Sequence, residues 1–302
     1  MKKSWINTCK TIVNKEINVF RDDLFPFFGG GNKGRKMFYI EKDIEENECN
    51  ALVTTGGIQS NHCRATAMMA AANSWKCTII YHGDKSRFYT EKGNAQIVRN
   101  LDVDVKFVES TEIGSAMDDA MENYRINGFN PYYIYGGGHN IAGGLAYVDA
   151  IRELKEECED LNWKPKYIFV ASGTGSTQGG ILAGLELIGW QDVKVIGISV
   201  ARKNPRGKVV VEEFYQVLRK KLDLNSTELE VVFDDNYLHG GYESTDDLSM
   251  KIVDDFSART GLLFDNTYSG KAIIGMLDYL ERNNKINDIL FWHTGGIFNL
   301  MA

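Results

Sequence analysis

Proline is scarce in this chain and cysteine is scattered. Four prolines occur in 302 residues, with no Pro/Ser-rich stretch, internal repeat or low-complexity tract, which argues against modules on a stiff or flexible tether and leaves any domain boundary in ordinary loops. The five cysteines (Cys9, Cys49, Cys63, Cys77 and Cys158) are odd in number and form no CxxC pair. That excludes a disulfide scaffold or a paired zinc motif and suits a reducing, cytoplasmic setting. No apolar run approaches the roughly 20 residues needed to cross a bilayer. Met1-Lys2-Lys3-Ser4-Trp5 is followed by mixed polar residues, so no signal peptide is expected. Positive charge is also in deficit, with 34 Lys and Arg against 41 Asp and Glu and a formal net charge of -7. Such a surface repels polyanions, so neither nucleic acid nor an anionic membrane is an expected partner.

What the chain does have is length for one large or two modest domains, and 30 glycines, many of them clustered. Short runs rich in β-branched and aromatic residues alternate with longer helical patterns. The expected strands are Ala51–Thr55, Cys77–Tyr81, Val103–Val108, Tyr132–Tyr135, Tyr167–Ala171, Val193–Ser199, Leu229–Phe233 and Ile289–Trp292. Between them lie expected helices at His62–Asn73, Tyr89–Asn100, Gly114–Arg125, Ile141–Cys158, Thr177–Ile188, Val209–Leu222, Thr245–Arg259 and Ser269–Arg282. Alternation of this kind predicts an α/β protein with parallel sheets flanked by helices. Four strands precede the long helix near Ile141 and four follow it, which reads as two lobes, each with a mainly parallel sheet. The expected division is a large domain of residues 1–45 and 146–302 and a small domain of residues 46–145.

In open α/β sheets ligands collect at the carboxyl ends of strands, and three unusual stretches bear on that rule. Gly29-Gly30-Gly31-Asn32-Lys33-Gly34-Arg35-Lys36 embeds a lysine among glycines. A lysine partly removed from water keeps a usable neutral amine for imine formation. Lys36, the rival within the motif, reads as an exposed residue at a helix start. Thr54-Thr55-Gly56-Gly57-Ile58-Gln59-Ser60-Asn61-His62 is a strand, a glycine turn and a helix entry, with Ser60 or Asn61 as N-cap. The free N–H groups of such an entry bind carboxylate or phosphate. Ser172-Gly173-Thr174-Gly175-Ser176-Thr177, again between strand and helix, reads as a cup for one terminal phosphate. It lacks the Gly-Lys-Ser/Thr of a nucleoside-triphosphate loop and the spacing of a dinucleotide turn. Two smaller pieces are the helix entry Asp265-Asn266-Thr267-Tyr268-Ser269-Gly270-Lys271 and the strand end His293-Thr294-Gly295-Gly296. Lys271, a second candidate amine, is expected to face solvent from its helix.

Taken together, RDDLFPFFGGGNKGRK, TTGGIQSNHCRATAMMAA, SGTGSTQGG, DNTYSGKA and HTGG resemble, in order, the motifs of the fold-type II pyridoxal-phosphate (PLP) enzymes. The group they resemble holds 1-aminocyclopropane-1-carboxylate (ACC) deaminase and D-cysteine desulfhydrase. The resemblance implies a tryptophan-synthase-β-like fold and PLP joined to Lys33. It implies Asn61 near the phenolic oxygen of the cofactor, and the loop Gly173, Thr174, Gly175, Ser176 and Thr177 around the phosphate. Ser60, Asn61 and His62 would receive the substrate carboxylate, with Tyr268 and Tyr242 of Gly240-Gly241-Tyr242 flanking the substrate. Ser269 and Thr294 would lie at the pyridine end. Lys33, Tyr268, Ser60 and Tyr242 are the candidates for catalysis, and Arg21-Asp22-Asp23 reads as a structural turn. ACC deaminases carry glutamate where Ser269 stands. A hydroxyl leaves the ring nitrogen largely neutral, which suits α,β-elimination on a small β-substituted amino acid such as D-cysteine. β-Replacement, ACC ring opening and a non-catalytic PLP-binding role are the rival readings, and a homodimer follows the habit of the family.

Overall fold

The computed structural model describes residues 5–238, 240–241 and 246–302; Tyr242, expected beside the substrate, lies outside them. In chain order the first elements are β1 (Ile6–Lys10), β2 (Glu16–Phe20), α1 (Gly31–Glu46), β3 (Ala51–Gly57), α2 (Asn61–Ala72) and β4 (Lys76–His82). Next come α3 (Lys85–Thr90), α4 (Gly93–Arg99), β5 (Asp104–Phe107), α5 (Ile113–Ile126), β6 (Pro131–Tyr133), α6 (Ile141–Asp160) and β7 (Tyr167–Ser172). The remainder is α7 (Ser176–Leu187), β8 (Lys194–Ser199), α8 (Arg206–Lys221), β9 (Val232–Asp234), α9 (Asp247–Thr260), α10 (Ser269–Arg282) and β10 (Ile289–Trp292).

The chain divides into two compact units, Met1–Leu24 with Gly144–Ile297 and Phe25–Gly143 with Phe298–Ala302. Residues 25–45, expected in the large domain, fall with the smaller unit. The reason is packing: Met37, Ile40 and Ile44 of α1 share one apolar cluster with Leu52 of β3, Met69 of α2 and Ile79 of β4.

The smaller unit has a four-stranded sheet in the order β5-β4-β3-β6, parallel throughout. Its central strand β3 is covered on both faces, which is why it opens with the unalternating apolar run Ala51-Leu52-Val53. Leu52 packs with α1 and α2, while Ala51 and Val53, one residue out of phase, meet Met117, Ala120 and Met121 of α5. The single helix expected over Tyr89–Asn100 is two, broken before Gly93. This glycine has φ +62, and a Cβ there would lie 2.5 Å from the carbonyl oxygen of Phe298.

The larger unit has a six-stranded sheet in the order β1-β2-β10-β7-β8-β9. All its pairings are parallel except β1 with β2. That antiparallel hairpin was not expected, because its strands carry lysine and asparagine on an exposed face. Helix α10 turns Ala272, Ile273, Met276, Leu277 and Leu280, spaced at helical periodicity, into a cluster with Phe169, Ile196 and Ile198. Helix α7 keeps Gly180 although glycine costs a helix about 1 kcal/mol. A Cβ there would lie 2.5 Å from Cβ of Tyr147 and 2.6 Å from the carbonyl oxygen of Gly144, so the glycine lets α6 approach.

Asp22, in the short 3-10 turn Asp22–Leu24, is fully buried. Its Oδ2 accepts hydrogen bonds from Tyr147 Oη and, at 3.1 Å, from Trp292 Nε1. Arg21 pairs with Asp23 at 2.7 Å beside it, the structural turn expected of this tripeptide. Asp22→Ala removes the acceptor that two buried donors share. It should lower the unfolding free energy by about 2–4 kcal/mol, read as a shifted denaturant midpoint with an unchanged slope.

Candidate active site

In the smaller unit, Gly29, Gly30 and Gly31 have φ of +75, +71 and +69, a run of left-handed residues open to glycine alone without strain. They deliver the chain into α1, with Gly30 as N-cap and Lys33 in the first turn. Arg64 of α2 holds the loop by donating from Nη1 to the carbonyl of Phe28. Lys33 is half-buried, and its Nζ donates to the carbonyl oxygen of Gly137 at 3.1 Å. Lys36 is fully buried and reaches the same oxygen at 3.3 Å, which corrects the expectation of an exposed residue. It lies one turn below Lys33, on the face of α1 that turns inward. Burial pushes the Lys33 amine down to about 8, because the charged form loses its hydration.

The helix entry after β3 is built as expected. Ser60 is the N-cap of α2, its Oγ accepting from the Cys63 amide at 3.2 Å. Asn61 and His62 are buried beside it. The hydroxyl of Thr54 donates to the carbonyl of Ile134 at 2.9 Å. Its one proton is thereby used, so its 2.7 Å contact with His62 has Nε2–H of the imidazole as donor. The Nδ1 atom of His62 is therefore a bare acceptor, buried and without a partner. Burial first, then the charges of Lys33 and Lys36, hold this imidazole well below its ordinary range. The ring is neutral.

In the larger unit, the loop after β7 enters α7 through Gly175, the N-cap, at φ +91. A Cβ on Gly175 would meet the Val210 carbonyl oxygen at 2.7 Å, so only glycine fits this turn. Arg202 Nη1 donates to the Gly173 carbonyl and fixes the loop from behind. Ser176 and Thr177 are buried at the helix start, and Ser172 Oγ, just before the loop, is buried with no partner.

The other half of this unit's candidate set is organised by Asp265, to which the sequence reading gave no role. Its Oδ2 accepts from the amides of Thr267 and Tyr268, at 3.1 and 2.9 Å. Its Oδ1 accepts from the amide and hydroxyl of Ser269, at 2.9 and 2.7 Å. A Cβ on Gly296 would lie 2.2 Å from the same Oδ1. The carboxylate thus brings the entry of α10 and the turn after β10, with Thr294, to one place. Ser269 has spent its hydroxyl proton on Asp265 and has none left to donate elsewhere. Burial pushes the Asp265 carboxyl upward against these hydrogen bonds, which pull it down. An aspartate just ahead of a helix entry is an Asx-turn signal that could have marked it. Lys271, expected to face solvent, is fully buried instead and donates to the carbonyls of Leu238 and Gly241 at 3.1 and 2.6 Å. The apolar side of α10 carries it inward.

Comparison with known proteins identifies the family and the fold. Residues 9–295 match the family model described as pyridoxal-phosphate dependent enzyme. D-Cysteine desulfhydrase of Salmonella newport is 31% identical over 296 residues, covering 96% of this chain and 89% of that protein. A solved structure described as an ACC deaminase homologue superposes with a TM-score of 0.89 at 26% identity, over 100% of this chain and 91% of the other. A hydrogen sulfide-producing enzyme from Fusobacterium nucleatum superposes with a TM-score of 0.64 at 16% identity, over 97% of this chain and 93% of the other, a likeness of fold.

The depressed amine is open to direct measurement. As pH rises through about 8 Lys33 loses its proton, while exposed lysines stay charged up to about 10.4. Reductive methylation of cofactor-free protein, mapped peptide by peptide, should therefore label Lys33 half-maximally near pH 8. Lys271, pushed down into the same range but fully buried, should stay unlabelled.

Proposed function

The chain belongs to the pyridoxal-phosphate dependent enzymes and has their fold-type II architecture, and from that premise we propose that it is a lyase performing α,β-elimination on D-cysteine or a close β-substituted amino acid. The observation that carries the proposal is the amine of Lys33. It is half-buried at the start of α1, and burial lowers it to about 8, so a neutral fraction is within easy reach. Its relatives include enzymes named D-cysteine desulfhydrase, and the substrate is taken from that name.

The residues present fit the cofactor. Lys33 offers an amine that forms an imine without a large deprotonation cost. Around Gly173–Thr177, the orphaned hydroxyl of Ser172 and the glycine-only turn at Gly175 support a bound phosphate at the start of α7. Asn61 would donate to the phenolic oxygen of the ring. Thr294 would face the pyridine nitrogen as donor, since Ser269 has only a lone pair to offer.

Bound PLP supplies the electron sink that lets the Cα–H bond of an amino acid be broken. The protein does the rest. The amides at the start of α2, with Ser60 capping them, receive the substrate carboxylate and orient the Cα–H bond. Lys33 would take the α-proton as general base. The bare Nδ1 of His62 offers an acceptor to the substrate ammonium group and cannot compete as an acid. Tyr268, its backbone pinned by Asp265, flanks the leaving group. With D-cysteine the balance is one substrate and one water giving pyruvate, ammonia and hydrogen sulfide. The free, scattered thiols support a reducing cytoplasmic setting, and the family resemblance supports a homodimer.

Lys33→Ala should remove the visible band that forms on adding PLP and lower kcat by about 10³-fold or more. Lys36→Ala should retain the band. Wild-type protein given D-cysteine should release keto acid and ammonia in equal amounts, with no need for an added thiol. Survival of band and turnover in Lys33→Ala would overturn the assignment.

A further inference from the structure

Asparagine amides are ambiguous, because oxygen and nitrogen look alike until a neighbour decides between them. Around Asn61 the decision comes from two residues away in a chain of contacts. Arg64, from α2 itself, is buried and donates from Nε to Oδ1 of Asn94 at 2.9 Å. A guanidinium can only donate, so the Asn94 amide must present its oxygen to Arg64 and its Nδ2 in the opposite direction. There Nδ2 meets three acceptors: Asn61 Oδ1 at 3.0 Å, the Gln59 carbonyl at 3.1 Å and Asn299 Oδ1 at 2.9 Å. Asn61 therefore turns its oxygen to Asn94, and its own Nδ2 is left facing away with both hydrogens uncommitted to the protein.

The frame around this chain of contacts admits no second arrangement. Gln59 gives Nε2 to the Glu91 carboxylate at 2.9 Å and the Lys92 carbonyl at 3.0 Å, both acceptors only. Its Oε1 in turn takes the backbone N–H of Asn94 at 3.0 Å. Asn299 donates from Nδ2 to the Gln59 carbonyl at 3.1 Å, which sets its Oδ1 toward Asn94. Arg64 is itself clamped, over the ring of Phe298 at 4.8 Å and on the Phe28 carbonyl. Asn94, Gln59 and Asn299 are each oriented by a group that has only one hydrogen-bonding sense, and Asn94 passes its orientation to Asn61.

We propose that Arg64 and Asn94 are positioning residues, whose joint task is to present Nδ2 of Asn61 as a hydrogen-bond donor to the phenolic oxygen of the cofactor. This rests on the reading of Asn61 given above. The two residues need not touch the cofactor or the substrate. They fix which end of an amide does, and thereby the charge the ring oxygen carries.

A near-isosteric change at Asn94 tests this. In Asn94→Asp the carboxylate still accepts from Arg64 but has no hydrogen to give. Asn61 must then flip to donate to it, and its oxygen is turned toward the ring. A donor to the phenolic oxygen stabilises its deprotonated form, so losing the donor raises the pH at which the visible band of the PLP-loaded protein interconverts, by about one unit or more. Spectral titration reads this shift without turnover. Asn94→Ala, which frees the amide without reversing it, should give a smaller shift in the same direction. In an Asn61→Ala background Asn94→Asp should add little, because there is no amide left to turn. If Asn61→Ala moves the midpoint and neither Asn94 variant does, the positioning role is overturned and the reading of Asn61 stands. An equal Asn94→Asp shift with or without Asn61 also overturns the role, since it marks a general disturbance. If Asn61→Ala itself leaves the midpoint in place, the assignment of Asn61 to the ring oxygen falls, and this inference with it.

Discussion

A lysine amine held out of water is unstable as a cation, and much of the segment from Phe25 to Glu46 is shaped by that fact. Lys33 stands in the first turn of α1, where the helix dipole also disfavours positive charge. Its compensation is a single carbonyl, Gly137, shared with the buried amine of Lys36. Burial removes hydration from the charged form and so favours releasing the proton of Lys33. The left-handed glycines before α1 make the sharp entry possible, and Arg64 on the Phe28 carbonyl keeps it from relaxing. The neutral imidazole of His62 follows from the same constraint, since a third cation there would be opposed by both lysines.

The two units resolve their polar ambiguities by one device. In each, a group with a single hydrogen-bonding sense decides for neighbours that have two. The Ile134 carbonyl takes the Thr54 proton and so fixes the tautomer of His62. The Asp265 carboxylate takes the Ser269 proton and leaves that hydroxyl only a lone pair. Arg64 sets Asn94, and Asn94 sets Asn61. Chemistry that needs a known donor at a known place is supported by groups that never change character.

Much of this was legible in the sequence. The eight strands expected from β-branched and aromatic runs all exist, with ends displaced by a residue or two and with β9 shortened to Val232–Asp234. The glycine stretches proved to be strand-to-helix or loop-to-helix entries because few other residues permit those turns. What escaped notice was set by tertiary contact. The hairpin of β1 and β2 is polar on one face and is defined by its pairing with β10. Helix α1 opens with glycines that read locally as a turn. The burial of Lys36 and Lys271 depends on carbonyls about 100 and 30 residues away along the chain. Asn94 lies in no motif at all, and its place beside Asn61 comes from the packing of α4 on α2.

The interleaving of the two units has a consequence for biosynthesis. β2, near residue 20, sits in its sheet only when β10, near residue 290, pairs with it. The smaller unit likewise takes its last contacts from Phe298 and Asn299. A ribosome that has translated as far as residue 200 holds neither unit in finished form. Such long-range closures are slow to form, and the emerging chain spends its synthesis with apolar strand edges unmatched. Assistance from chaperones in the cell, and sensitivity to abrupt dilution during refolding in the test tube, are the natural outcome of this threading.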